Sequence, residues 1–443
     1  MSPQQQQQQP TMDRRHFQRL ALHAAMATPL VLGDSGRATA TANTLRRSEN
    51  SKLDTWYSWR GPNANNIASE GASIPDQLTA EHIRWQTPVR GRGHSSPVVT
   101  EDRVFLTTAQ YDPQQQWVLG FDRGNGKQLW EQVIHRGGFP KENHPKNTEA
   151  SSTLAFDGEH LFAVFFHAAA LHLTSLTPEG QVRWQQNLGH YDPKLYRYGY
   201  ASSPCIYEDT VIVVADYDGK PFLTARDCAS GKEVWRVARP LTISFSSPIV
   251  GSTSGRDQLL LSGADRVMSY DPSNGEVLWE TQGTSLATCG TMVWDEQRVF
   301  ASGGFPKAET ICIRSDGSGE KLWSNNQKCY EQSMLAFEGH VYAVTDAGVA
   351  YCWRASDGVT QWKERLGGAY SSSPVLVGRT IHVFNEQGEG FAFSADPAQY
   401  RALGKSKLAD DVFPTPSVVG QTMYHRFAKQ EANRRQEYLV AIS

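Results

Sequence analysis

Side chains able to do chemistry gather in two stretches of the 443-residue chain. Val133–Thr148 holds His135, Arg136, Lys141, Glu142, His144, Lys146 and Asn147. Gly189–Tyr200 holds His190, Tyr191, Lys194, Tyr196, Arg197, Tyr198 and Tyr200. Their types are cationic and aromatic on a chain of net charge −3. Such a surface suits an anionic or carbohydrate-like ligand, or an acidic segment of a partner. A solvated loop surface with no ligand is the plain alternative. His94, Glu149, Lys220, Glu331 and Tyr370 are further candidates for the same face. No glycine-rich phosphate loop, zinc spacing or His-Glu-x-x-His is present, and no catalytic residue or metal ligand is assigned. The pair His135 and His144 reads as surface in preference to metal. Ser-Pro recurs at Ser96-Pro97, Ser203-Pro204, Ser247-Pro248 and Ser373-Pro374; repetition marks these serines as architecture, not nucleophiles.

Elements that could position these loops follow from a repeat. Gly126-Lys127-Gln128-Leu129-Trp130 recurs as Gly180…Trp184, Gly231…Trp235, Gly275…Trp279, Gly319…Trp323 and Gly358…Trp362, with Trp85 ending a partial first copy and Tyr400–Leu403 forming a degenerate last one. Seven of the 12 tryptophans occupy this slot. Three short strand patterns precede each copy, so a unit is four antiparallel strands in about 45 residues, the size of a propeller blade. Eight copies of each strand can be counted if the strand of Trp85 completes the three in Pro414–Ser443. The expected fold is all-β: an eight-bladed propeller over 81–443, closed by that strand, after an irregular extension over 43–80. Seven blades is the rival count. Links from fourth to first strand and from second to third strand share one face, so the two rich stretches become neighbouring loops there.

Asp122-x-x-x-Gly126-Lys127-x-x-Trp130 and Asp227-x-x-x-Gly231-Lys232-x-x-Trp235 resemble the tryptophan-docking repeat of PQQ-like (quinoprotein-type) eight-bladed propellers. Trp56-x-x-Trp59-Arg60-Gly61-Pro62-Asn63 is similar to the lead-in of secreted members of unassigned role. The resemblance implies that Trp85, Trp130, Trp184, Trp235, Trp279, Trp323 and Trp362 are structural, each packing on a small residue of a neighbouring blade. Quinone-dependent alcohol dehydrogenases of this fold use an adjacent-cysteine disulfide and a calcium cluster. This sequence has no Cys-Cys pair and no recognisable calcium-ligand set, so it is closer to the non-catalytic, BamB-like branch. PQQ with calcium stays as the alternative cofactor reading; otherwise none is expected. The six cysteines read as buried free thiols, with one or more disulfides as the other reading.

Arg14-Arg15 with Phe17, a weak apolar run over Ala21–Leu32, and Ala38-Thr39-Ala40 resemble a twin-arginine export signal over 1–42. Those residues carry four arginines and two aspartates, which leaves −5 for the rest. No basic excess exists to hold nucleic acid. No run of 18 apolar residues exists to span a membrane. The expectation is a periplasmic or secreted monomer that binds a cell-envelope protein or an anionic or carbohydrate ligand without catalysis; a quinone-dependent oxidoreductase is the alternative.

Overall fold

The computed structural model describes residues 55–443 except Thr242 and Asn433. The expected export signal lies outside the described residues. The chain forms eight sheets of four antiparallel strands, and the seven-blade count is excluded. Blade 1 comprises Val98–Val99, Arg103–Tyr111, Gln114–Asp122 and Gln128–Arg136. Blades 2 to 7 occupy 155–190, 205–238, 249–282, 293–325, 335–365 and 375–407. Blade 8 takes Ser417–Val419, Thr422–Glu431 and Arg434–Ile442, and its outer strand is Ile83–Val89, which carries Trp85. Closure therefore ties the two ends of the described chain together and leaves the last strand paired on both sides.

Apolar side chains of the middle strands fill the layers between blades, as Phe162, Val164, Leu171 and Leu173 do against Val211 and Val213. The docking tryptophans cover the outer ends of these layers. A Cβ on Gly126, Gly180, Gly231, Gly275 or Gly358 would fall within 3 Å of the tryptophan ring of the preceding blade. All five glycines have positive φ, so the turn and the close approach demand glycine together. Indole N–H groups of Trp85, Trp130, Trp184, Trp235, Trp323 and Trp362 donate to backbone carbonyls of the next blade. Trp279 differs: it donates to Gln258, whose amide nitrogen donates in turn to the Ser315 carbonyl. Cys312 and Cys352 pair across the strand with Trp323 and Trp362, where a small packed group is required. All six cysteines are free thiols.

At the inner strands a repeated Ser/Thr, followed by proline in five of the eight blades, forms a clasp. Backbone N–H groups of Ser96, Thr153 and Ser203 donate to the hydroxyls of Thr153, Ser203 and Ser247, each at 2.9 Å. Thr291, Ser333 and Ser373 donate to Ser333, Ser373 and Thr415 in the same way, again at 2.9 Å. These serines are architectural, as their repetition implied.

The extension before blade 1 is a plug. Trp56 pairs with Val99 of blade 1, and the Tyr57 carbonyl accepts from Phe156 of blade 2. Trp59 reaches Thr291 before blade 5, Arg60 reaches Met334 before blade 6, and Asn66 reaches Pro374 before blade 7. The segment thus crosses the end of the channel where first strands turn into second strands.

Candidate functional site

Side chains alternate along a strand, so the residue two places before each of the eight repeated Ser/Thr positions (Ser96, Thr153, Ser203, Ser247, Thr291, Ser333, Ser373 and Thr415) shares its channel-facing side. Those eight residues are His94, Ser151, Ala201, Phe245, Cys289, Glu331, Ser371 and Phe413, one per blade. Every one lines a single cavity of about 190 Å³ at the channel mouth. Trp59 of the plug reaches it from below. His144, Lys146, Asn147 and Tyr198 come over it from the two long links.

Two aromatic walls face one polar edge. On one side His94 stacks on Phe413, with ring centroids 4.5 Å apart and planes 8° apart. On the other, Tyr198 stacks on Phe245 at 6.0 Å and meets the edge of His144 at 4.6 Å. The polar edge is a connected chain. Lys146 Nζ lies 2.6 Å from Glu386 Oε1, and the Ser371 hydroxyl lies near both Glu386 and Glu331. Burial pushes the Glu331 carboxyl up, against the pull of Ser371 and Lys146. Burial also opposes charge on Lys146, but its bond to Glu386 and the nearby Glu331 hold it above the usual lysine range. Burial, with Arg92, Arg426 and Arg435 nearby, pushes His94 well below the usual imidazole range. His144 is lowered by burial and by Lys146. At neutral pH the mouth therefore holds neutral imidazoles and one lysine already engaged by a carboxylate.

The structure gathers His94, His144, Lys146, Tyr198 and Glu331 here and scatters the other candidates. Strand Gln128–Arg136 is longer than the sequence reading, so the first long link begins after Arg136. Register pairs Gln116 with His135, and alternation turns His135 inward. It stacks on His167 at 4.3 Å and meets His172 at 4.8 Å. Burial and these two imidazoles lower its pKa to about 3. Arg136 ends the strand, exposed. Tyr200 is buried and donates to the Val214 carbonyl. Tyr370 neighbours the channel-facing Ser371 and therefore points the other way, into a blade core. Lys220 lies in a separate groove with His190 and Tyr217. Glu149 is buried beside Asn143, and burial raises its pKa to about 7.

The two long links are neighbours: Asn147 donates to the Tyr198 carbonyl, and Arg197 lies 3.2 Å from Glu142. The cationic excess expected of them is largely engaged, because Lys146, Lys194 and Arg197 each face a carboxylate. Sequence reasoning missed Phe245, Phe413, Cys289 and Ser371. The signal was available, two places before each repeated Ser/Thr, where the residue type changes from blade to blade. Among the described residues, no group of three or more His, Cys, Asp or Glu could hold a metal ion. Among them, too, no helix is long and apolar enough to cross a membrane.

No curated protein matches the sequence. Among solved structures, BamB from Moraxella catarrhalis is similar with TM-score 0.57 and 16% identity, over 80% of this chain and 95% of that one. A europium-containing methanol dehydrogenase gives TM-score 0.64 and 10% identity, over 89% and 99%. Quinohemoprotein alcohol dehydrogenase from Comamonas testosteroni gives 0.62 and 11%, over 88% and 81%. At such identities the likeness is one of fold. The sequence profile described as outer membrane protein assembly factor BamB matches residues 72–219, 116–364 and 307–429. An eight-bladed ring with docked tryptophans, matched continuously over 72–429 by that profile, places the chain in the family of PQQ-like propellers described by BamB.

Proposed function

We propose that this protein is an exported, non-enzymatic binding module whose ligand enters the channel mouth. The observation that carries the reading is the set of eight inward positions, which differ from blade to blade on an otherwise repeated frame. Two aromatic walls and one polar edge suit a sugar ring or an extended segment of a cell-envelope protein. An anionic ligand fits the mouth less well, because Lys146 is engaged and His94 and His144 are held neutral. The same balance weighs against the quinone-oxidoreductase reading. A tricarboxylate quinone needs cations around it, and the lining offers Lys146 alone beside Glu331.

Photo-crosslinking in envelope extract tests the proposal. A benzophenone side chain at Ala201, in the mouth, is expected to capture a glycan or protein. The same group at Val277, exposed on an outer strand, is expected to capture none. Equal capture at both positions, or dye reduction on adding PQQ and calcium, overturns the reading. Export is part of the proposal: replacing Arg14 and Arg15 with lysine is expected to leave precursor in the cytoplasm.

A further inference from the structure

The polar edge of the channel mouth carries an unbalanced charge. Glu331 lies within electrostatic reach of the carboxylates of Glu386 and Asp346. Against these three stand Lys146 and Lys328. Lys146 faces Glu386, and Lys328 lies 3.2 Å from Asp346. Asp346 also accepts from the Tyr330 N–H at 2.8 Å and from the Gln332 amide at 3.0 Å. Glu331 is left with the Ser371 hydroxyl at its Oε2, and that hydroxyl also lies 2.8 Å from Glu386. A hydroxyl has one proton to give, so it cannot satisfy both carboxylates at once. Glu331 lines the cavity, and among the described residues none donates to its Oε1.

The rest of the lining favours a cation. Beside the stacked pairs His94–Phe413 and Tyr198–Phe245, the cavity is lined by the rings of Trp59 and Tyr330. Ring faces attract a cation and accept the methylenes that carry it. His94 and His144 are held neutral and do not repel one. The cavity volume, about 190 Å³, is below the ~300–1,000 Å³ of sites for drug-sized ligands. It has room for one side chain, and the plug closes the far end. Glu331 also selects among cations. A guanidinium pairs best through two parallel N–H groups, and Oε2 is already taken by Ser371. An ammonium is a point charge that needs one oxygen.

Resting on the reading that a ligand enters the mouth, we propose that the anchoring group is a lysine side chain of a partner protein segment, its methylenes against the aromatic walls and its ammonium paired with Glu331. The segment itself stays outside the channel, and one residue enters. The ammonium supplies the positive charge that the polar edge lacks, and it leaves the Lys146–Glu386 pair in place.

The test uses the full chain and saturation-transfer NMR, which registers weak ligands. The probes are N-acetyl-lysine methylamide, its norleucine analogue with the same carbon stem and no charge, its arginine counterpart, and glucosamine. The lysine probe is expected to bind saturably and the norleucine analogue about tenfold more weakly. Glu331→Gln is expected to remove that difference. No saturable binding of the lysine probe, equal binding of the norleucine analogue, tighter binding of the arginine probe or glucosamine, or a lysine preference that survives Glu331→Gln overturns the proposal. Any of these with selective capture at Ala201 leaves the mouth reading standing, whereas loss of that capture as well overturns both. Should Glu331→Gln fail to fold, the comparison of lysine and norleucine probes on the unmodified protein decides.

Discussion

At the scale of single residues, burial sets how the protein responds to acid. His382 and His425 are buried, and desolvation lowers both pKa values to about 4; His135 falls to about 3. Each is neutral when folded and titrates near 6.5 when unfolded. The unfolded chain therefore binds more protons between about pH 6.5 and 4. Stability from these groups is complete above pH 6.5 and is lost as the pH falls. The loss is on the order of 1 kcal/mol per histidine per pH unit. Glu149, raised to about 7, acts in the opposite sense: stability is lost as pH rises from the unfolded carboxyl range through 7. Three histidines outweigh one glutamate, so urea midpoints are expected to fall steadily below pH 6.5, and His382→Asn is expected to make the decline shallower. Glycine positions give a second measurement. Gly255→Ala meets open space and bears only positive-φ strain, about 1 kcal/mol. Gly180→Ala adds a methyl 2.6 Å from the Trp130 ring and is expected to cost about 1–3 kcal/mol more in denaturant melts.

Elements depend on contacts that cross between blades. Thr153 receives the Ser96 N–H and passes its own N–H to Ser203. Thr153→Val keeps the shape and leaves the Ser96 donor buried without a partner. A loss of about 1–3 kcal/mol is expected by chemical denaturation, with an unchanged β-sheet circular dichroism spectrum. A loss below a few tenths would show that the clasp is not a stabilising element. The docking tryptophans are larger contributors. Trp235 packs over Gly275 and donates to the Pro272 carbonyl. Trp235→Ala is expected to cost about 3–5 kcal/mol, measured the same way.

The ring as a whole depends on its closing strand. Ile83–Val89 pairs with Arg434–Ile442 along its length. A chain beginning at residue 91 loses that strand and the plug together, exposing an unpaired edge and an open channel. It is expected to sediment as larger species than a chain beginning at residue 55, which keeps both. Equal sedimentation and equal melting of the two would mean that closure does not contribute to the stability of the ring.

Blade count, docking tryptophans and the closing strand were legible in the sequence, because each blade repeats the same local requirements of turn glycine, small residue and indole. The four Ser-Pro positions were legible as architecture for the same reason, whereas Thr153, Thr291, Ser333 and Thr415, which complete the ring, were not. The site was legible only in part. His94 and Glu331 were found, but Tyr370 was one residue out of phase with the channel, and strand alternation sends it into a blade core. His135 was read as loop, yet a longer strand buries it against His167 and His172. The plug was visible as a motif, but its course across the channel depends on partners far away in sequence, such as Pro374, 308 residues from Asn66. Local repetition fixes what each blade must be. Only ring closure brings eight distant, non-repeated positions to one axis, because the cavity exists between blades and not within any of them.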